Sequence, residues 1–153
     1  MTEEARRASD LPVLSARPAF LAALARGPVV LSSPTGSGKS TEVPRWCAGR
    51  VLVVEPRRIA CRSLAARVAD LEGTDLGREV GYAVRDERVL SDASRIVFAT
   101  PGIVLRDRAL LESARTVVLD EFHERSLETD LLLALLLTRA RRRALPRHLS
   151  SRM

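Results

Sequence analysis

Ser33-Pro34-Thr35-Gly36-Ser37-Gly38-Lys39-Ser40-Thr41 lies between an apolar run, Pro28-Val29-Val30-Leu31, and a stretch from Ser40 to Trp46 that reads as the start of a helix. A strand, a glycine-rich turn and a helix in that order form an anion cradle. Gly36 and Gly38 free the backbone so that successive N–H groups can wrap a polyphosphate at a helix N-terminus. In such a loop Lys39 reaches the outer phosphates, the Ser40 hydroxyl takes a magnesium ion, and Thr35, Ser37 and Thr41 complete the nucleotide-binding wall. The pattern departs from G-x-x-x-x-G-K-[ST] at its first position, where Ser33 stands for glycine. Serine is small enough to be accommodated there.

Outward from this loop, apolar strands alternate with helices. Val51-Leu52-Val53-Val54 is uninterrupted by polar residues, as in a parallel strand buried on both faces. A helix is expected from about Arg57 to Leu71, carrying Ile59, Leu64, Ala65, Val68 and Leu71 at helical spacing. Glu79 to Arg85 reads as a short extended segment. Arg95 to Ala99 reads as a strand, with Pro101 opening a helix at the position where its missing N–H costs nothing. Thr116-Val117-Val118-Leu119 reads as a further strand, and Leu127 to about Arg143 as a Leu-rich helix with a basic last turn. Pro18 to Arg26 is a short helix placed beneath the sheet. The class is α/β with a mostly parallel sheet between helices. The expected divisions are a lead-in over residues 1–17, one domain over 18–143, and an atypical tail over 144–153.

Asp120-Glu121-Phe122-His123 directly follows the Thr116–Leu119 strand. Carboxylates there emerge at the end of a parallel sheet where ligands gather. Asp120 is placed to hold magnesium together with Ser40, and Glu121 to act on the metal side and as general base toward an attacking water. Two halves of one metal–polyphosphate site are therefore present, far apart in sequence.

Composition narrows the rest. The chain has 153 residues, room for one core, and 46% of them are hydrophobic. Aromatics are 3%, too few for recognition of bases by stacking platforms. The net charge is +6, and all basic residues except Lys39 are arginine, which suits bidentate phosphate contact. Cys47 and Cys61 have no C-x-x-C partner and read as reduced, buried small hydrophobes. The longest strongly apolar run, Leu131 to Leu137, is far short of the roughly 20 residues of a membrane span. With no basic leader before an apolar stretch, a cytoplasmic protein without membrane partners is expected.

Three further stretches, in order after the loop, resemble motifs Ia, Ib and II of DEAH-box (DExH) RNA helicases, and within that family the bacterial HrpB type. They are Glu55-Pro56-Arg57-Arg58-Ile59-Ala60, Thr100-Pro101-Gly102 and Asp120-Glu121-Phe122-His123-Glu124-Arg125-Ser126-Leu127. The resemblance runs from about Leu11 to Leu137. It implies a first RecA-like domain of an ATP-dependent helicase, with ATP or another NTP and Mg²⁺ as ligands. It also implies a single-stranded nucleic acid, RNA, as polymer partner. Arg57 and Arg58 match the arginines that meet the polymer backbone, and Thr100 and Gly102 match motif Ib on the same strand. Arg67, two turns into the helix, falls where the family stacks an arginine on adenine. His123 matches the motif II histidine that links the nucleotide site to the partner domain, and joins Lys39 and Glu121 as a catalytic candidate. Taken without the resemblance, the Arg57–Arg58 pair is a solvated helix start, Arg67 an exposed helical arginine and Thr100 a plain N-cap.

The family needs a second RecA-like domain, which supplies arginine fingers worth about 10³–10⁵ in rate. No such domain is present in these 153 residues, and no Ser-Ala-Thr of motif III follows Leu137. In the resembled fold the strand before that motif lies between the loop strand and the Asp120 strand, so both are expected to face a gap. The expectation is the N-terminal, ATP-binding part of a helicase, a truncated or frame-shifted product that does not unwind by itself. The alternative is a non-catalytic nucleotide- or nucleic-acid-binding module. A small P-loop kinase has no use for the Ia and Ib stretches.

Overall fold

In the computed structural model, which describes residues 11–144 and side chains through Arg141, a five-stranded sheet is covered on both faces by helices. A 3₁₀ turn (Pro12–Ala16) leads into α1 (Arg17–Leu24), the phosphate-type loop and α2 (Lys39–Trp46). Then follow β1 (Val51–Val54), α3 (Arg58–Glu72), β2 (Val80–Val84) and β3 (Glu87–Val89). The chain continues through β4 (Ile96–Ala99), α4 (Pro101–Arg106), α5 (Arg108–Ser113), β5 (Thr116–Leu119) and α6 (Leu127–Ala144). The tail expected over 144–153 and residues 1–10 of the lead-in lie outside the described residues.

The spatial order is β3-β2-β4-β1-β5, parallel except for the β2–β3 hairpin. Strand alternation divides the core. Val51, Val53, Ile96, Phe98, Val80, Tyr82 and Val84 point to the face covered by α1, α2 and α3, where Phe20 meets Trp46 edge-on at 5.7 Å. Leu52, Val54, Ala83, Val97 and Ala99 point to the other face, against Val104, Leu110, Leu111 and Leu132 of α4, α5 and α6. Because β1, β2 and β4 are apolar at every position and buried on both sides, a continuous hydrophobic run in each is what the fold demands. Cys47 and Cys61 are buried free thiols in the first face, with Cys61 pushed up to about 12 by burial and the nearby Glu55 charge.

One expectation needs correction. The run at residues 28–33 is not a strand: among the described residues it pairs with no sheet neighbour, and Val30 is 97% exposed. Its β-branched composition is a sheet preference that needs a partner strand to be realised. β5 is accordingly the sheet's edge, and its four residues are only half-buried where β1 and β4 are fully buried. β2 falls within the extended segment expected over 79–85, and beyond it the chain turns back at Arg85-Asp86 into β3, a hairpin whose turn holds Asp86 at φ 64°. Gly81 permits the close approach of the segment after β3: a Cβ there would lie 2.5 Å from the Val89 carbonyl. Residues Arg108–Ser113, which have no counterpart among the expected elements, form α5, capped by Asp107, whose carboxylate accepts the Ala109 N–H.

The sheet register places the site. Val54 of β1 stands opposite Ala99 of β4 and Leu119 of β5. The next residues, Glu55, Thr100 and Asp120, therefore form one row at the carboxyl edge, fixed by Glu55 N–H to Ala99 and Asp120 N–H to Val54 carbonyl bonds.

Candidate nucleotide and nucleic-acid site

Gly38 sits at the N-cap of α2 with φ 90°, and Gly36 has φ 77°, so both occupy the left-handed region that side chains disfavour. The loop is backed by the lead-in. Val13 donates its N–H to the Ser37 carbonyl, and a Cβ on Gly38 would meet Leu11 Cδ1 at 2.7 Å. Ser33 and Ser37 share a hydroxyl hydrogen bond of 2.7 Å, and the Thr41 hydroxyl donates to the Gly38 carbonyl. The first-position serine thus closes the loop through its side chain.

Thr35, Gly36, Ser37, Gly38, Lys39, Ser40 and Thr41 line one cavity of about 260 Å³, and the single residue from elsewhere that joins them is Glu121. Lys39 Nζ lies 3.9 Å from Glu121 Oε1, with both side chains partly exposed. Such a pair is worth about 0–1 kcal/mol, so a polyphosphate can take the ammonium at little cost. Glu121 itself is held at φ 47°, an uncommon conformation for a non-glycine residue and one that gathers at functional sites. Asp120 is 8% exposed. Its Oδ1 accepts the Glu121 N–H at 2.9 Å, and its Oδ2 is the buried side-chain oxygen without a hydrogen-bond partner among the described residues. A buried carboxylate oxygen with nothing to neutralise it fits a hard cation, which takes oxygen ligands such as Asp120 and the Ser40 hydroxyl.

His123 is on the exposed turn beyond, with Nδ1 3.3 Å from Glu121 Oε2, and it does not line the cavity. Together with Glu121 and Glu124 it offers a set of ligand atoms within 4.8 Å of one another. Arg67 is exposed on α3 and likewise stands outside the cavity lining. Arg57 caps α3 and Arg58 begins it, both exposed. Thr100 is at the N-cap of α4, yet its hydroxyl makes no capping bond; the Thr100 carbonyl takes the Ile103 and Val104 N–H groups. Gly102 packs close to the Glu128 carboxylate of α6.

Sequence reasoning overlooked Glu55. Its side chain is 1% exposed, its Oε1 accepts the Arg57 N–H at 3.0 Å, and Arg57 Nε lies 3.5 Å away. Burial, then repulsion from Asp120 and Glu121, pushes its carboxyl above the usual range against the opposing pull of Arg57. The signal was a charge set directly after four apolar residues of a central strand.

The DEAD/DEAH box helicase family matches residues 16–147 of the chain. The chain belongs to that family. Against the mouse ATP-dependent RNA helicase DHX33 (Mus musculus), this helicase domain is 42% identical over 145 residues, 88% of the chain and 21% of the relative. Against the ATP-dependent RNA helicase HrpB of Escherichia coli strain K12 it is 42% identical over 139 residues, 84% of the chain and 17% of the relative. The crystal structure of E. coli DEAH/RHA helicase HrpB superposes with a TM-score of 0.76 at 41% identity, covering 84% of this chain and 18% of that one. The helicase domain thus spans about a fifth of the length of these relatives. No helix among its described residues is long and apolar enough to cross a membrane.

Proposed function

We propose that this helicase domain, with residues 18–143 as its RecA-like unit, binds a nucleoside triphosphate with Mg²⁺ and serves the ATP-dependent remodelling of RNA by a longer protein in the cytoplasm. The observation that carries this reading is the convergence of the Thr35–Thr41 loop and Glu121 on one cavity, with an unpartnered buried oxygen on the residue before Glu121, Asp120. In this reading Lys39 holds the β- and γ-phosphates, exchanging its weak contact with Glu121 for a dianionic partner. Asp120 and Ser40 hold Mg²⁺, which when bound neutralises phosphate charge and orients the terminal phosphoryl group. Glu121 takes the proton of the attacking water, and His123 relays the state of that carboxylate to a second RecA-like domain. Arg67 is assigned to the adenine side.

Arg57, Arg58, Thr100 and Gly102 follow the same carboxyl edge of the sheet and are assigned to the backbone of single-stranded RNA. Contact with phosphates alone is independent of base sequence, as movement along a strand requires. In the family's scheme the arginine fingers come from a second RecA-like domain, so hydrolysis by the isolated chain is expected to be slow, and that second domain is required for unwinding.

Isothermal calorimetry of the folded chain with ATP·Mg²⁺ tests this. Saturable heat that disappears in Lys39→Ala supports it. Absence of heat with every nucleoside triphosphate refutes nucleotide binding, and nucleotide binding without RNA-stimulated turnover in a version that includes the second domain favours a non-catalytic module.

A further inference from the structure

We infer that Glu55 is a positioning residue that couples the two ligands: it holds Arg57 back from the polymer until a cation occupies the Asp120 side. The inference rests on the nucleotide and RNA reading above and adds a residue and a direction of coupling to it.

Glu55 and Asp120 end neighbouring strands in one row, and the charges of Asp120 and Glu121 repel the buried Glu55 carboxylate. Its nearest cation is Arg57, whose backbone N–H and guanidinium both address the same oxygen, Oε1. Arg57 also lies 3.8 Å from Glu124, whose N–H closes the turn onto the Glu121 carbonyl. The guanidinium that the RNA phosphate needs is therefore shared between a buried acid and the turn that carries Glu121. Its side chain is 61% exposed, so a phosphate can reach it.

The charge balance sets the sign. Without a cation on Asp120, Glu55 and Glu124 hold Arg57, and a phosphate must compete with them for it. A divalent cation on Asp120 offsets the carboxylate charge that faces Glu55, so Glu55 draws less on Arg57 and the guanidinium is released. By reciprocity, a phosphate that draws Arg57 away leaves Glu55 short of a counter-ion and raises affinity for the cation-bearing nucleotide by the same factor.

The test is fluorescence anisotropy of a labelled oligouridylate, titrated with the chain in EDTA and again with Mg²⁺ and a non-hydrolysable ATP analogue. For the native sequence the nucleotide is expected to tighten RNA binding by about fivefold or more, the lower range of allosteric coupling. In Glu55→Gln, which is isosteric and keeps an acceptor for the Arg57 N–H, RNA binds in EDTA at the tightened affinity and the nucleotide adds nothing. Simple removal of a negative charge would strengthen both states equally and leave their ratio intact, whereas a packing defect would weaken both. A second measurement needs no variant. If one more phosphate contact forms with nucleotide bound, the slope of log K against log salt steepens by about 0.7 for a single strand. Coupling that persists in Glu55→Gln, or an unchanged salt slope, overturns the inference while leaving both binding sites standing. Failure of the native chain to bind either ligand at all overturns the functional reading and this inference with it.

Discussion

Asp120→Asn should make the ligand-free protein more stable and the nucleotide-bound protein no more stable than that. Asp120 Oδ2 is buried without a partner, and Oδ1 already accepts the Glu121 N–H. Asparagine keeps the oxygen for that N–H, puts a neutral amide at the orphan position and removes one of the charges that repel Glu55. An unsatisfied buried charge costs more than an unsatisfied neutral amide, and a difference of about 1 kcal/mol raises the melting midpoint of a domain this size by about 2–4 °C. In the native chain ATP·Mg²⁺ at about 100 times its Kd adds about 2.7 kcal/mol, or roughly 5–10 °C. Differential scanning fluorimetry in EDTA and in ATP·Mg²⁺ reads both effects on one plate. The expected pattern is a higher EDTA midpoint for the variant and loss of its magnesium-dependent rise. A variant that melts at or below the native chain in EDTA refutes the orphan-oxygen reasoning, and a full magnesium-dependent rise refutes Asp120 as the metal ligand.

Other substitutions separate fold from site. Gly81→Ala drives a Cβ to 2.5 Å from the Val89 carbonyl and 2.7 Å from Leu90 Cβ, an overpacking expected to cost about 1–3 kcal/mol in urea melts without altering calorimetric nucleotide affinity. Gly36→Ala meets nothing within 4 Å but is strained by its φ of 77°, so it should lose about 1 kcal/mol and weaken nucleotide binding as well. Asp107 is held below the usual carboxylate range, chiefly by its hydrogen bond from Arg88, so the stability it contributes is present above 3.8 and lost as pH falls through its lower folded value. The gap in urea midpoint between the native chain and Asp107→Asn, which retains the cap, should therefore close in acid below the ordinary aspartate value. Asp107→Ala should remain lower by about 1 kcal/mol there, since it has no side-chain oxygen to cap α5. Val30→Lys, at a side chain 97% exposed, should leave the midpoint within about 0.5 kcal/mol of native; a larger loss in the same melts would place Val30 in a packed strand.

The amino-acid sequence by itself determined the α/β class, the loop and the two carboxylates, because each is a local pattern. Glycines at fixed offsets allow left-handed backbone, and apolar tetrads mark strands buried on both faces. Gly36 and Gly38 do adopt positive φ, and the cavity is lined by the loop residues named from sequence together with Glu121. Pairing was decided only by the tertiary structure. Val29-Val30-Leu31 has the composition of β1, yet stays unpaired among the described residues because a strand exists only by hydrogen bonds to a neighbour, which composition does not encode. Register likewise put Glu55, Thr100 and Asp120 in one row, and so set Glu55 against Asp120 and Glu121. Alone in the sequence Glu55 is an acid at a strand end with Arg57 two residues on; its burial and its acidic neighbours, Asp120 and Glu121, arise from segments that meet only when the sheet forms.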